Sequence, residues 1–209
     1  DAYVYVRISD NTDGLVDYAV ADGWLPLRGV EDVYYRRVAA DAESKTFYVL
    51  QGNKVYYDAE LGNGDMLDES EALKTGLDLT FKAYAVQCEP FASALSAWML
   101  SADTDAKASS SVSELAENIL DGGTTVLTQD IVVDSSTSSD GQGHALGFDL
   151  DKDATLVLDG CSVEGKQGTI ADALFDLKAG ATVNIYGDEN TYVDSSDMNY
   201  TIYALSNTT

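Results

Sequence analysis

The sequence predicts an all-β protein in two parts: an N-terminal antiparallel β-sandwich, then a short right-handed parallel β-helix with a capping helix at its start. Three observations predict it. Apolar and polar residues alternate at a period of two through much of the first hundred residues. A 27-residue internal repeat begins at Ala145. Both prolines, both tryptophans and nine of the thirteen tyrosines fall before residue 101, so the two parts differ in composition. These shifts predict a sandwich over 1–100, a linker over 101–111 and a β-helix over 112–209.

In the first part, Asp1–Ser9 places Ala2, Val4, Val6 and Ile8 on one face and Tyr3, Tyr5 and Arg7 on the other, the pattern of a half-buried strand. Leu77–Ala85 repeats the pattern, with Leu77, Leu79, Phe81, Ala83 and Ala85 expected inward. Val33–Val38, Thr46–Leu50 and Lys54–Tyr57 are shorter strand candidates, and Gly52-Asn53 predicts a tight hairpin between the last two. Phe91–Leu100 is rich in Ala, Leu and Met after Pro90 and predicts a short helix. Several short strands separated by turn residues predict an antiparallel sandwich.

In the second part, Ser111 and Glu114 have capping-box spacing, Leu115, Ile119 and Leu120 are candidates for one apolar face, and Gly122-Gly123 ends the helix. This helix is expected to cover the open end of a coil. The segment from Ala145 to Gly160 aligns with that from Asp172 to Gly187. Phe148 falls on Phe175, Leu150 on Leu177, Leu156 on Val183, Leu158 on Ile185 and Gly160 on Gly187. A third copy is expected at Thr201–Leu205, one residue late, and a degenerate earlier one at Val126-Leu127 and Ile131–Val133. Units of this length bury little alone and gain a core by stacking, with like residues in interior columns. The chain stops four residues after Leu205, where a further strand is expected, so the natural protein is expected to continue or to meet another chain there.

Charge narrows the function classes. The 209 residues carry 36 acids against 12 Lys plus Arg, a net charge of −24. Such a chain lacks the basic groups that nucleic acids and anionic membranes require. The second part is the more acidic, with 17 acids and 3 bases over 108–209. One histidine and two cysteines exclude zinc-finger and disulfide-dense designs. No apolar run is long enough to span a bilayer. Low cysteine content with high acidity fits a secreted bacterial protein that does without disulfides, and also fits many cytosolic ones.

Several stretches of the first part, in this order, carry a family resemblance: Asp1–Ile8, Tyr18–Trp24, Gly29–Tyr35, Leu79–Gln87 and Phe91–Trp98. Together they resemble the camelysin/TasA-type secreted proteins of Gram-positive bacteria, in the forms found in gut Firmicutes, over residues 1–100. The resemblance implies a jelly-roll-like sandwich, export, and a place at the cell surface or in biofilm matrix fibres. Family members usually have a further strand upstream of the position of Asp1. Its absence implies an open sheet edge able to accept a neighbour's strand. Camelysin is classed as a metallopeptidase, but this sequence has no His-Glu-x-x-His, and that activity does not carry over. The second part resembles, in pattern alone, the start of a pectate-lyase-type β-helix.

Asp149, Asp151 and Asp153 are candidate calcium ligands, since hard cations prefer clustered carboxylate oxygens. The segment is not an EF-hand: Ala154 stands at the sixth position and Gly160 at the twelfth. The competing reading is a solvated acidic turn. Asp149 and Asp176 would stack about 4.8 Å apart at strand spacing and repel unless a cation or water screens them. His144 lies in a glycine-containing loop with no identifiable partners. Only Lys107, Lys152, Lys166 and Lys178 are basic after residue 100, so a polysaccharide lyase would lack its usual Arg base. Cys88 and Cys161 are read either as a bridge between the parts or as two buried thiols. Tyr3, Tyr5, Tyr34, Tyr35, Tyr56 and Tyr57 offer an aromatic surface for sugars or partner strands, or cross-strand pairs within the sheet.

The functional expectation is a secreted structural or adhesive protein without catalytic activity or cofactor. Its partners would be further copies, neighbouring surface proteins or glycans. The alternative is a carbohydrate-binding or polysaccharide-degrading β-helix module.

Overall fold

The computed structural model describes residues 1–57, 62–67, 76–102, 104–134, 147–166, 173–178, 180–194 and 200–204. His144, Asp172 and Leu205 lie outside the described residues. The protein is mostly β, with both antiparallel and parallel sheets. It divides into two compact units, Asp1–Glu89 and Pro90–Thr209.

Unit 1 is built on the strands β1 (Ala2–Asp10), β2 (Val16–Asp17), β3 (Leu25–Pro26), β4 (Val33–Val38), β5 (Tyr56–Tyr57) and β6 (Leu79–Gln87). Four of them form an antiparallel sheet in the order β3-β4-β1-β6, and β2 pairs with β5 in a separate ribbon. Val6 and Ile8 pack with Trp24 and Leu50 in the core, as their alternation predicts. Trp24 is fixed there by its indole N–H, which donates to the Tyr48 carbonyl at 2.8 Å. The Arg36 guanidinium lies 3.9 Å from the centre of the Phe47 ring, covering the aromatic edge of this core.

Three expectations for this unit need correction. First, β1 is not half-buried. Tyr5, on the face expected to be polar, is 0% exposed and packs with Tyr3 and Tyr35 at ring-centre distances of 6.2 and 6.3 Å. β1 is the strand between β4 and β6, and buried residues lie on both of its faces, Tyr5 on one and Val6 and Ile8 on the other. Second, the expected inward face of β6 is largely exposed: Phe81, Ala83 and Ala85, paired with Ile8, Val6 and Val4, are exposed, while Tyr84 and Val86 are half-buried. Among the described residues β6 is outermost, with a neighbour on one side only, and core packing reaches no further along that face than Leu79. Third, residues 46–50 and 54–57 do not pair as a hairpin. Leu50 bridges Val20, and β5 pairs with β2. Gly52 does turn the chain, at φ +62, so the turn residue was legible but its partners were not.

Unit 2 opens with α1 (Ala94–Ser101), β7 (Lys107–Ser109) and α2 (Val112–Leu120). Its further strands are β8 (Thr124–Leu127), β9 (Ile131–Val133), β10 (Phe148–Leu150), β11 (Ala154–Val157), β12 (Val163–Gly165), β13 (Ala173–Leu177), β14 (Val183–Tyr186), β15 (Val193–Asp194) and β16 (Tyr200–Ala204). They form three parallel sheets ordered β10-β13-β16, β14-β11-β8-β7 and β15-β12-β9. The chain visits the sheets in turn, so each strand pairs with its equivalent one repeat away. Phe148 sits on Phe175 with stacked rings 5.4 Å apart, and Leu150 on Leu177. Phe148, Leu150, Leu156, Leu158, Phe175 and Leu177 share one buried core with Leu127, Ile131 and Val163.

The register corrects the expected alignment in two places. Leu156 pairs with Ile185 rather than Val183. The turn after Leu177 is two residues longer than that after Leu150, and a shift of two keeps the same face inward. The third copy is not late: Phe175 pairs with Ile202 and Leu177 with Ala204, at the same 27-residue spacing.

The stretch expected as a linker over 101–111 belongs to unit 2 and contains β7, which extends a parallel sheet. Its small polar residues are structural. Ser109 and Thr125, both fully buried, share a hydrogen bond of 2.7 Å, and the Asn118 amide donates to Ser109 Oγ at 2.9 Å. The helix expected at Phe91–Leu100 forms as α1, also in unit 2. The Ser93 hydroxyl caps it by accepting from the Ser96 N–H at 3.1 Å. α1 packs against β8, and Val126 and Val157, which project away from the interior columns, are buried as well. The buried Ser96 hydroxyl donates to Asp159 in the turn after β11.

α2 has the expected boundaries, and it packs on β7, β8, β9, β10 and β11 through Val112, Leu115 and Ile119. Leu120 is exposed and does not join that face. The capping box is displaced by one residue: Ser111 accepts from the Glu114 N–H, but Glu114 Oε2 accepts from Ser110 N and Oγ, both at 2.8 Å. These bonds hold the Glu114 carboxyl below the usual range.

Candidate functional site

The parallel register brings Asp149 and Asp176 side by side on the outward face of β10 and β13. Lys178 follows Asp176 by two residues, and strand alternation returns its side chain to the same face. Its backbone N–H continues the ladder by donating to the Leu150 carbonyl at 2.8 Å. Its ammonium donates to Asp176 Oδ2 at 2.7 Å and lies 3.3 Å from Asp149 Oδ1. The cation between the two stacked carboxylates is thus a side chain of the protein. Asp176 above all, and then Asp149, hold the Lys178 ammonium above its ordinary range, against a smaller opposing effect of desolvation. A weaker counterpart lies on β12, where Lys166 reaches Glu164 at 3.5 Å.

The other two candidate ligands are placed differently. Asp153 Oδ1 accepts the Thr182 N–H at 2.8 Å and so ties one repeat to the next. Asp130 Oδ1 accepts the Ser162 N–H at 2.8 Å, and Ser162 Oγ accepts from Tyr192 N at 3.3 Å, in the same manner. Asp151 is exposed. Among the described residues no three His, Cys, Asp or Glu side chains converge as a metal ligand set. Cys88 and Cys161 are free thiols, the first buried and the second half-buried. Burial, then the charges of Asp130 and Asp159, push the Cys161 thiol up.

Of the tyrosines, Tyr5 and Tyr35 form the cross-strand pair, and Tyr3 packs edge-on to Tyr35 at 6.2 Å. Burial first, then Tyr3, Cys88 and Tyr35, raises the Tyr5 hydroxyl well above the usual phenol range. Tyr56 and Tyr57, in contrast, are exposed on the β2-β5 ribbon. A polar hollow of about 670 Å³ in unit 2 is lined by Asp105, Lys107, Asn118 and Asp121 among others, with no histidine, cysteine or serine among the described lining residues.

The remaining feature of functional interest is the sheet edges. The nine-residue β6 closes one side of the unit 1 sheet, and among the described residues it pairs only with β1. In unit 2, β14, β15 and β16 each end a stack on the same side. The opposite side is treated differently: α2 packs there, and the Asn118 amide donates to the Ala108 carbonyl of the outermost strand β7 at 3.2 Å.

No protein-family model matches the chain, and no curated protein or solved structure does either. No described helix is long and apolar enough to cross a membrane.

Proposed function

We propose that the protein is a secreted structural or adhesive component of a bacterial cell surface or biofilm matrix, acting through strand edges and without catalysis. In this reading unit 1 is a jelly-roll-like sandwich of the camelysin/TasA type, and unit 2 is the opening of a right-handed parallel β-helix. The observation that carries the proposal is β6: a long strand, outermost among the described residues, with Phe81 exposed and strand pairing along one side. Such an edge is a template for a strand from another chain unless it is shortened, charged or covered. The stacked columns and the ordered bonds between repeats support a load-bearing role for unit 2.

The test is self-association across a concentration series, by sedimentation and electron microscopy, for the parent protein and a Phe81→Lys variant. The expected result is concentration-dependent oligomers or fibres that the lysine weakens. A parent that remains monomeric throughout, or assembly indifferent to a charge on β6, would contradict the proposal. A glycan array on the same samples tests the carbohydrate-binding alternative directly.

A further inference from the structure

We draw no further inference here: the strongest candidate, the apolar end of the parallel stacks at Val183, Ile185, Val193 and Ile202, carries none because nothing in the structure shows what covers it.

Discussion

The two units handle strand edges in opposite ways. Unit 1 is an antiparallel sheet with a nine-residue strand at its margin. Unit 2 stacks parallel strands and covers the first of them with a helix and a side-chain amide. An antiparallel strand finds its partners from anywhere in the chain, so its environment is set by tertiary context. A stacked repeat meets its own copy on each side, so its environment recurs. This difference accounts for which environments recur along the chain and which depend on tertiary context.

The comparison breaks most readily in the core of unit 2. Phe175 is fully buried and stacked on Phe148. Phe175→Ala is expected to cost about 3–5 kcal/mol through lost burial and a residual cavity. Denaturant unfolding should show this loss in unit 2, while Ile8→Ala, expected to cost about 2–5 kcal/mol in unit 1, leaves the unit 2 transition in place. A single shared transition that both substitutions move equally would show that the units do not fold independently.

Gly147 provides a sharper probe of the stacking. A Cβ there would run into the Ala173 carbonyl oxygen, a backbone atom of the adjoining repeat. Gly147→Ala is expected to destabilise by about 1–3 kcal/mol or more, since one of the two repeats must move. The result is read from the thermal midpoint and from the circular dichroism of the parallel sheets.

A smaller effect separates the units by pH. The Tyr5 hydroxyl has a folded pKa above its unfolded value. Its contribution is therefore fully present below about pH 10, the ordinary phenol value, and is lost as pH rises toward the folded value. Alkaline titration should destabilise unit 1, and Tyr5→Phe should remove most of that dependence, measured by denaturant midpoints between pH 8 and 11. An unchanged slope in the variant would assign the dependence elsewhere.

The smallest effect is at Lys178. Asp149 is largely and Asp176 partly solvent-accessible, so Lys178→Met is expected to lower the denaturant midpoint only slightly, and less at high salt. The variant also leaves Asp149 and Asp176 without their ammonium. Calorimetric titration with calcium then asks whether the two carboxylates take up a metal once the lysine is gone. The parent protein serves as the control.

How much the sequence revealed follows the same division. The columns of unit 2 were legible because Phe148, Leu150, Phe175 and Leu177 see equivalent surroundings. What alignment missed was the longer turn after Leu177, which a period of two conceals: Val183 and Ile185 point the same way, so either could be set on Leu156. In unit 1, β1 and β4 were legible as strands, but alternation cannot report whether the second face is also covered, as at Tyr5. Nor can it distinguish a central strand from a marginal one, and Phe81, Ala83 and Ala85, though beside Ile8, Val6 and Val4, are left exposed for that reason. Lys178 was overlooked as the partner of the stacked acids, although its spacing from Asp176 already placed both on one face. The segment 101–111 looked like a linker because its residues are small and polar, yet those hydroxyls are what the buried end of the stack bonds to.

The stacking of repeats is tested most directly by side-chain contacts in solution. Methyl and aromatic nuclear Overhauser measurements on the intact chain should connect the Phe148 and Phe175 rings, and should connect the methyls of Leu156 most strongly to those of Ile185. Strong Leu156–Val183 contacts with none to Ile185 would contradict the register, and separation of the two phenylalanine rings would contradict the stack itself.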